Sequence, residues 1–534
     1  MIRLPLSAAA FALLAAFPAA AQTADPMAGM DMSQPMQAPA GFPQSLAEWA
    51  KGAQIFPGLG TFHRDVGAAT PQAQAYFDQG MRLLWSFNHD EATRSFAKAA
   101  ELDPKCGMCF WGVALTLGPN YNMPMMAEPR ARVAWEALAR AQANAAAAKP
   151  ADRALIAALT KRYAGPTPLD PSNEAPLLKA FADAMHAAAK AYPDDLDIQT
   201  LFAESVMNLN PWKLWTADGK PNPGTAAVVA TLERVLAKDP MHPGANHYYI
   251  HAVEASQHPE KAVVSAERVR AMMPAAGHLV HMPSHIFQRV GRYEESAEAN
   301  RLGAAADATY YSQTKAPDYY PMYTAHNYQF LAFSAAMEGR KAETVAALKS
   351  ARGQLPDALL LTMPGSEWSV GYTYEAMVRF GMWDELLAEP EPGLKLRGME
   401  AAWLAAHATA LGIKGRTTEA QAELAQLRVL IEQTPADAIA GMNPAKPLYR
   451  IDLLRAEARI ALAAKDYPAA IKAATDAVAL EDASYYNEPA DTFFPGRHLL
   501  GKILLAAGKP AEAKAVYLED LKRNPENGWA LQGL

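Results

Sequence analysis

Between His247 and His285 the chain places six of its thirteen histidines, and their spacing matters more than their number. His247, His251 and Glu254 stand at i, i+4 and i+7. On a helix turning about 100° per residue their side chains share a sector of roughly 60°. His278, His281 and His285 stand at i, i+3 and i+7 and do the same. Two neighbouring helices would then each offer three metal-type donors on one face. Imidazole nitrogens with a carboxylate suit copper, zinc, iron and nickel, and a set without thiolate is poor for a purely structural zinc site. Five histidines and a glutamate exceed one tetrahedral shell, so the set fits two metals, or one metal with further histidines behind its ligands. Di-iron centres use more carboxylates than the single Glu254 found here, which favours copper, with zinc or iron as alternatives.

The competing reading is structural, since an isolated histidine on an apolar helix face is usually a satisfied core residue. Clustering weighs against it, because imidazoles packed together repel once two are protonated. A polar groove that hydrogen-bonds a peptide or an anion is the other alternative. His89, His242, His258, His407 and His498 fall at turns or isolated positions and read as structural.

The elements that must hold these residues are helical. The chain has 534 residues, 51% of them hydrophobic, with abundant alanine and few alternating β-branched runs. That length exceeds one compact core and calls for several domains or a repeat array. A net charge of −7 leaves no basic footprint for nucleic acid. At the N-terminus, Arg3, an apolar run over 4–17 and Ala19-Ala20-Ala21 before Gln22 have the pattern of a secretory signal, which predicts residues 1–21 as a leader and a periplasmic protein. No later run is long and apolar enough to predict a transmembrane segment.

Residues 22–45 are too polar and too rich in Pro and Gly to build a core and read as a flexible tail. Their Met27, Met30, Met32 and Met36 are soft thioethers suited to Cu(I), so the tail reads as a copper collector or as a plain linker. Cys106 and Cys109 lack the following histidine of a haem motif and the βαβ context of a thioredoxin site. A disulfide closing a turn is expected in an exported protein, with a redox or metal-relay role as the alternative; Met108, Met123, Met125 and Met126 stand nearby. No Ser-His-Asp order, phosphate loop or nucleotide fingerprint offers another enzyme class.

From Pro71 a repeat emerges. Tyr76, Gly80, Ala92, Phe96, Ala99 and Pro104 in AYFDQGMRLLWSFNHDEATRSFAKAAELDP match the large, small and closing positions of the tetratricopeptide repeat (TPR). Pro274 follows Pro240 at that repeat's 34-residue period, with Ala262 between them. Gly501, Gly508, Ala513 and Pro525 repeat the frame, and weaker copies lie at 408–420 and 458–470. The chain resembles exported TPR proteins of Gram-negative bacteria, which also carry segments like CGMCFWGVALTLGPNYN, NPWKLW and GHLVHMPSHIFQRVGRY. The resemblance covers most of 71–530 and implies an all-α TPR-like α-solenoid of stacked antiparallel helix pairs.

It also implies which positions of each first helix face the concave side. Framed by Ala262, Gly291 and Gly339, these positions hold His247, His251 and Glu254, then His278, His281 and His285, and then His326 of TAHNYQF. The expected organisation is a signal at 1–21, a Met-rich tail at 22–45, N-terminal repeats with the CxxC at 46–200, central repeats with the histidine site at 201–350, and C-terminal repeats with a cap at 351–534. Pro283 should either start the second histidine helix near Met282, leaving His278 and His281 on an ordered loop, or kink it. Two aromatic-rich insertions, 210–224 with Trp212 and Trp215 and 309–323 with Tyr319 and Tyr320, are expected to be loops covering the site or packing on a neighbouring repeat.

Three functions fit. The first is a periplasmic protein that binds a transition metal, preferably copper, for metal handling or resistance. The second is a metal-dependent hydrolase or oxidoreductase using the same residues. The third is a scaffold whose groove holds a peptide or protein partner.

Overall fold

Pro71 opens the first long helix at a position where its missing N–H costs nothing, and Thr70 caps that helix by accepting from the Ala73 N–H. Helix Pro71–Trp85 packs antiparallel on His89–Leu102, and the contact explains two residues of the repeat frame. A Cβ on Gly80 would stand 2.6 Å from the Phe96 ring, so only glycine lets the pair close. The same device recurs near the C-terminus, where a Cβ on Gly501 would stand 2.4 Å from the Tyr517 ring. The computed structural model describes residues 42–534 apart from 125, 127, 171, 315–319 and 363–365. The leader 1–21, Met27, Met30, Met32, Met36, Met125 and Tyr319 lie outside the described residues.

The described chain is an all-α, TPR-like solenoid of helix pairs. Gly107–Leu117 pairs with Glu128–Asn144, Leu196–Met207 with Thr225–Lys238, and Pro243–Val253 with Val263–Met272. The broken helix Gly277–His281/Pro283–Phe287 pairs with Tyr293–Gln313, and Pro321–Met337 with Lys341–Gly353. Arg397–Ile413, Ala445–Ala463 and Gly496–Ala506 each pair with the helix that follows them, and Gly528–Gly533 closes the stack. The β-structure described as strands is a two-stranded ribbon, Ile439–Ala440 against Asn443–Pro444. No described helix is long and apolar enough to cross a membrane.

An extended strap before the first long helix ties the N-terminal repeats together. Arg64 of that strap bridges Asp152, Asp195 and Asp197 at 2.7–3.0 Å. Farther along, Cys106 and Cys109 are joined in a disulfide at the start of Gly107–Leu117, where the Cys106 sulfur also accepts from the Cys109 N–H.

The two insertions differ. Residues 210–224 form a loop between Leu196–Met207 and Thr225–Lys238, and its Trp212 packs on Tyr121 at 5.7 Å. The expected loop at 309–323 is a correction: 309–313 continue the Tyr293–Gln313 helix, and Pro321–Met337 begins before Tyr323. Tertiary contacts hold the extra turn. Tyr310 packs against Tyr320 with ring centroids 5.1 Å apart and donates to Glu91 Oε2 at 2.9 Å.

Candidate metal centre

The first helices of three successive pairs bring the seven predicted residues together. Pro243–Val253 starts with His242 as its cap, accepting from the Ala245 N–H, and presents His247 and His251, with Glu254 directly after its last residue. In the next repeat, Pro283 has no N–H to give, so the helix breaks at Met282 into Gly277–His281 and Pro283–Phe287. Of the two outcomes expected there, the kink is the one found, and His278 and His281 stay helical. His326 comes from Pro321–Met337.

The six imidazoles form a continuous run. Ring centroids lie 5.0 Å apart for His247 and His251, 5.1 Å for His247 and His278, 5.7 Å for His278 and His281, and 5.0 Å for His281 and His326. Two groups of three emerge, His247/His251/His278 and His281/His285/His326, each with one nitrogen per ring within 4.8 Å of the others. His251, Glu254, His285 and Glu488 form a third such set between them.

Hydrogen bonds define which nitrogens carry protons. The His247 Nδ1 lies 2.6 Å from the Trp85 carbonyl oxygen, which can only accept, so Nδ1–H donates and Nε2 keeps its lone pair. That Nε2 has no hydrogen-bond partner, and neither does His251 Nε2 or either nitrogen of His278. The His251 Nδ1 faces Glu254 Oε1 at 3.0 Å. The first triad is therefore a set of buried imidazoles with unused lone pairs, two of them, His247 and His251, oriented from behind.

The second triad is built differently. The Asn300 amide donates to the Ser296 carbonyl, which turns its oxygen toward His281 Nδ1 at 2.6 Å. His281 Nδ1–H donates there, so its Nε2 accepts from His285 Nε2–H at 2.7 Å. His285 Nδ1 in turn stands 2.7 Å from Glu254 Oε2 and 2.6 Å from Glu488 Oε1. With both nitrogens donating, His285 is an imidazolium in the metal-free chain, and it can ligate an ion only by giving up its Nε2 proton. Burial opposes that charge, but Glu488 and Glu254 outweigh burial and push its pKa up to about 10.

The neighbouring groups respond as this charge requires. Burial disfavours a charge on Glu254, yet His251 and His285 hold its carboxyl well below the usual carboxylate range. Burial and the Glu254 charge raise Glu488. His247, His278, His281 and His326 are pressed well below the ordinary imidazole value, first by burial and then by the other histidines. They are neutral donors, as metal coordination needs. A cavity of about 100 Å³ opens beside His251, Glu254, His285 and Glu488, with Tyr121, Trp212 and Tyr486 in its wall.

Glu488 was not among the predicted residues. It lies in the 483–495 connection between Tyr467–Asp482 and Gly496–Ala506, far from the histidines in sequence. The available signal was the break in repeat rhythm at YYNEP. Phe87 was missed as well. In the turn between the first two long helices it occupies the left-handed position, φ 57°, that glycine fills at Gly291 and Gly339. Its ring lies 4.4 Å from His247, 5.8 Å from His251 and 5.6 Å from His278.

No protein-family model and no curated protein matches the chain. Solved structures with a similar arrangement include the APC/C hetero-tetramer Cut9-Hcn1, at 14% identity over 92% of this chain and 80% of that one, with a TM-score of 0.33. Yeast Tom70 aligns at 12% identity over 87% of this chain and 93% of that one, TM-score 0.32. A human IFIT1 dimer with m7Gppp-AAAA aligns at 13% identity over 90% and 97%, TM-score 0.32.

Proposed function

We propose that this protein binds transition-metal ions, copper by preference, through its two histidine triads, and that Glu254 and Glu488 stand between two ions. The carrying observation is the first triad: three buried imidazoles whose ligating nitrogens have no other partner, one of them locked in its ligating tautomer by the Trp85 carbonyl. A structural histidine in a core normally spends its polar atoms on hydrogen bonds, and leaving several unmade in one place costs stability with no structural return. A metal ion offsets that cost. All-imidazole triads suit copper, and zinc or iron remain the alternatives.

In this reading the protein works in the periplasm in metal handling or metal resistance, and the Met27–Met36 segment, whose thioethers suit Cu(I), delivers ions to the centre. The metal supplies charge and, if copper, a one-electron couple. The residues do the rest. Trp85, Asn300 and Glu254 orient imidazoles, and burial excludes bulk water.

A metal-dependent enzyme is a second reading, favoured by the cavity of about 100 Å³ at the carboxylate side. It is large enough for a few waters or a very small substrate. There the Glu488 carboxyl, raised by burial and the Glu254 charge, accepts from the Tyr486 hydroxyl at 2.6 Å, a pair placed for proton transfer.

Elemental analysis of the exported, tag-free protein tests the proposal against a His251→Ala/His281→Ala variant of unchanged helicity. Copper, zinc or iron in the native protein and its loss from the variant are expected. Native protein that holds none of these ions, and takes up none on addition, refutes metal binding and turns attention to a peptide or protein partner in the groove.

A further inference from the structure

The C-terminal repeats enclose a second cavity, of about 760 Å³, whose wall is built from different chemistry. It is lined by Arg379, Arg455 and Arg459, with Lys502 also in its lining. Their counter-charges are unevenly shared. Arg455 takes Glu481 at 2.8 Å and Glu375 at 3.3 Å. Arg379 has no carboxylate partner among the described residues: its guanidinium lies 3.7 Å from the centroid of the Trp529 ring and 4.8 Å from that of Phe494, and it donates to His498 Nδ1 at 2.6 Å. The hydrogen bond found for Arg459 is a long one to the Arg455 carbonyl, 3.4 Å.

Buried polar atoms around this cavity are left over. Arg455 is 6% exposed and Asp452 is 5% exposed, and Arg455 Nε and Asp452 Oδ2 both lack partners, as does Arg379 Nε. Burial and the neighbouring Arg459 disfavour the charge on Arg379, while Asp452 is raised by burial to about 7. Glu375 and Asp452 also line the cavity, but among the described residues neither Arg379 nor Arg459 has a carboxylate at ion-pair distance, and the Arg379 and Arg455 Nε donors are unspent. Arginines do not shed their protons near neutral pH, so these unspent donors suit an anion. Trp383, Phe494, Tyr517 and Trp529 give the same cavity broad apolar faces. Its volume is that of a small-molecule site, with a few polar groups converging among aromatic walls.

We propose that this cavity binds a small organic anion, a carboxylate or phosphate ester with an apolar body, held by Arg379, Arg455 and Arg459 and flanked by the aromatic side chains. The planar guanidinium fork recognises both head groups, and stacked aromatics hold the body. The site is independent of the histidine centre.

Isothermal titration calorimetry of the full chain tests this with phenyl phosphate, phenylacetate, inorganic phosphate and the uncharged benzyl alcohol. The His251→Ala/His281→Ala variant is titrated in parallel, because a metal at the histidine centre could itself bind anions. One-to-one binding of phenyl phosphate or phenylacetate, at least tenfold tighter than benzyl alcohol, is expected in both proteins. The better of the two separates a phosphate ester from a carboxylate. Arg459→Gln should weaken it at least tenfold. Lys502→Glu changes an exposed residue, which spares the fold, and should weaken binding several-fold. Absence of binding by both organic anions, equal affinity for benzyl alcohol, loss of binding in the histidine variant, or unchanged affinity in Arg459→Gln or in Lys502→Glu would each overturn the proposal.

Discussion

Phe87 holds a left-handed backbone that glycine holds at Gly291 and Gly339, and its ring packs against three of the clustered histidines. For a residue with a Cβ that conformation costs about 1–2 kcal/mol. Losing a buried phenylalanine ring costs about 3–5 kcal/mol. The ring outweighs the strain, so Phe87→Gly should lower unfolding stability by about 2–3 kcal/mol in denaturant titrations. A more stable variant would mean that the ring contributes little. Asp307 makes a pH argument at the same scale. Buried, and accepting from Tyr320, Thr324 and Asn327, it is raised from 3.8 to about 7. The folded state therefore keeps a proton that the unfolded chain releases. Its contribution to stability is complete below about pH 4 and is lost as pH rises to about 7. Asp307→Asn should flatten that decline, read as the midpoint of unfolding against pH. An identical slope in both proteins would contradict the assignment.

At the scale of elements, the kinked helix and the disulfide turn make opposite contributions. Pro283 breaks one helix, whose His278 and His281 meet His247 and His326 of the neighbouring histidine helices. The Cys106–Cys109 bridge closes only a very short loop at a helix start, worth about 2 kcal/mol from chain entropy. Cys106→Ser/Cys109→Ser should cost about that much stability and leave metal content unchanged. Metal loss in a folded variant would assign the pair a relay role.

These elements also show why some residues could be read from sequence and others could not. Histidine spacing is a local, helical-period signal, and proline's missing N–H is a property of one residue, so the histidine positions and the kink were legible, whereas the two triads, which mix residues of different helices, were not. Glu488 reaches His285 only through the stacking of distant repeats, and no local pattern encodes that contact. The helical turn at 309–313 was misread because Tyr310 owes its place to Tyr320 and Glu91, which local propensity does not register.

Across the whole molecule, the solenoid places the first helices of three successive pairs side by side, and the 483–495 connection brings Glu488 from the C-terminal repeats to the same point. The centre thus joins parts of the chain that a repeat stack would otherwise keep apart. Farther along the same stack, the arginine-lined cavity keeps its own chemistry. The central claim is that two triads hold two ions, and metal stoichiometry tests it most directly. Copper per chain should be two for the parent and one each for His278→Ala and His326→Ala, measured on folded protein after loading and desalting. A parent that holds no copper, or single variants that still hold two, would contradict the account.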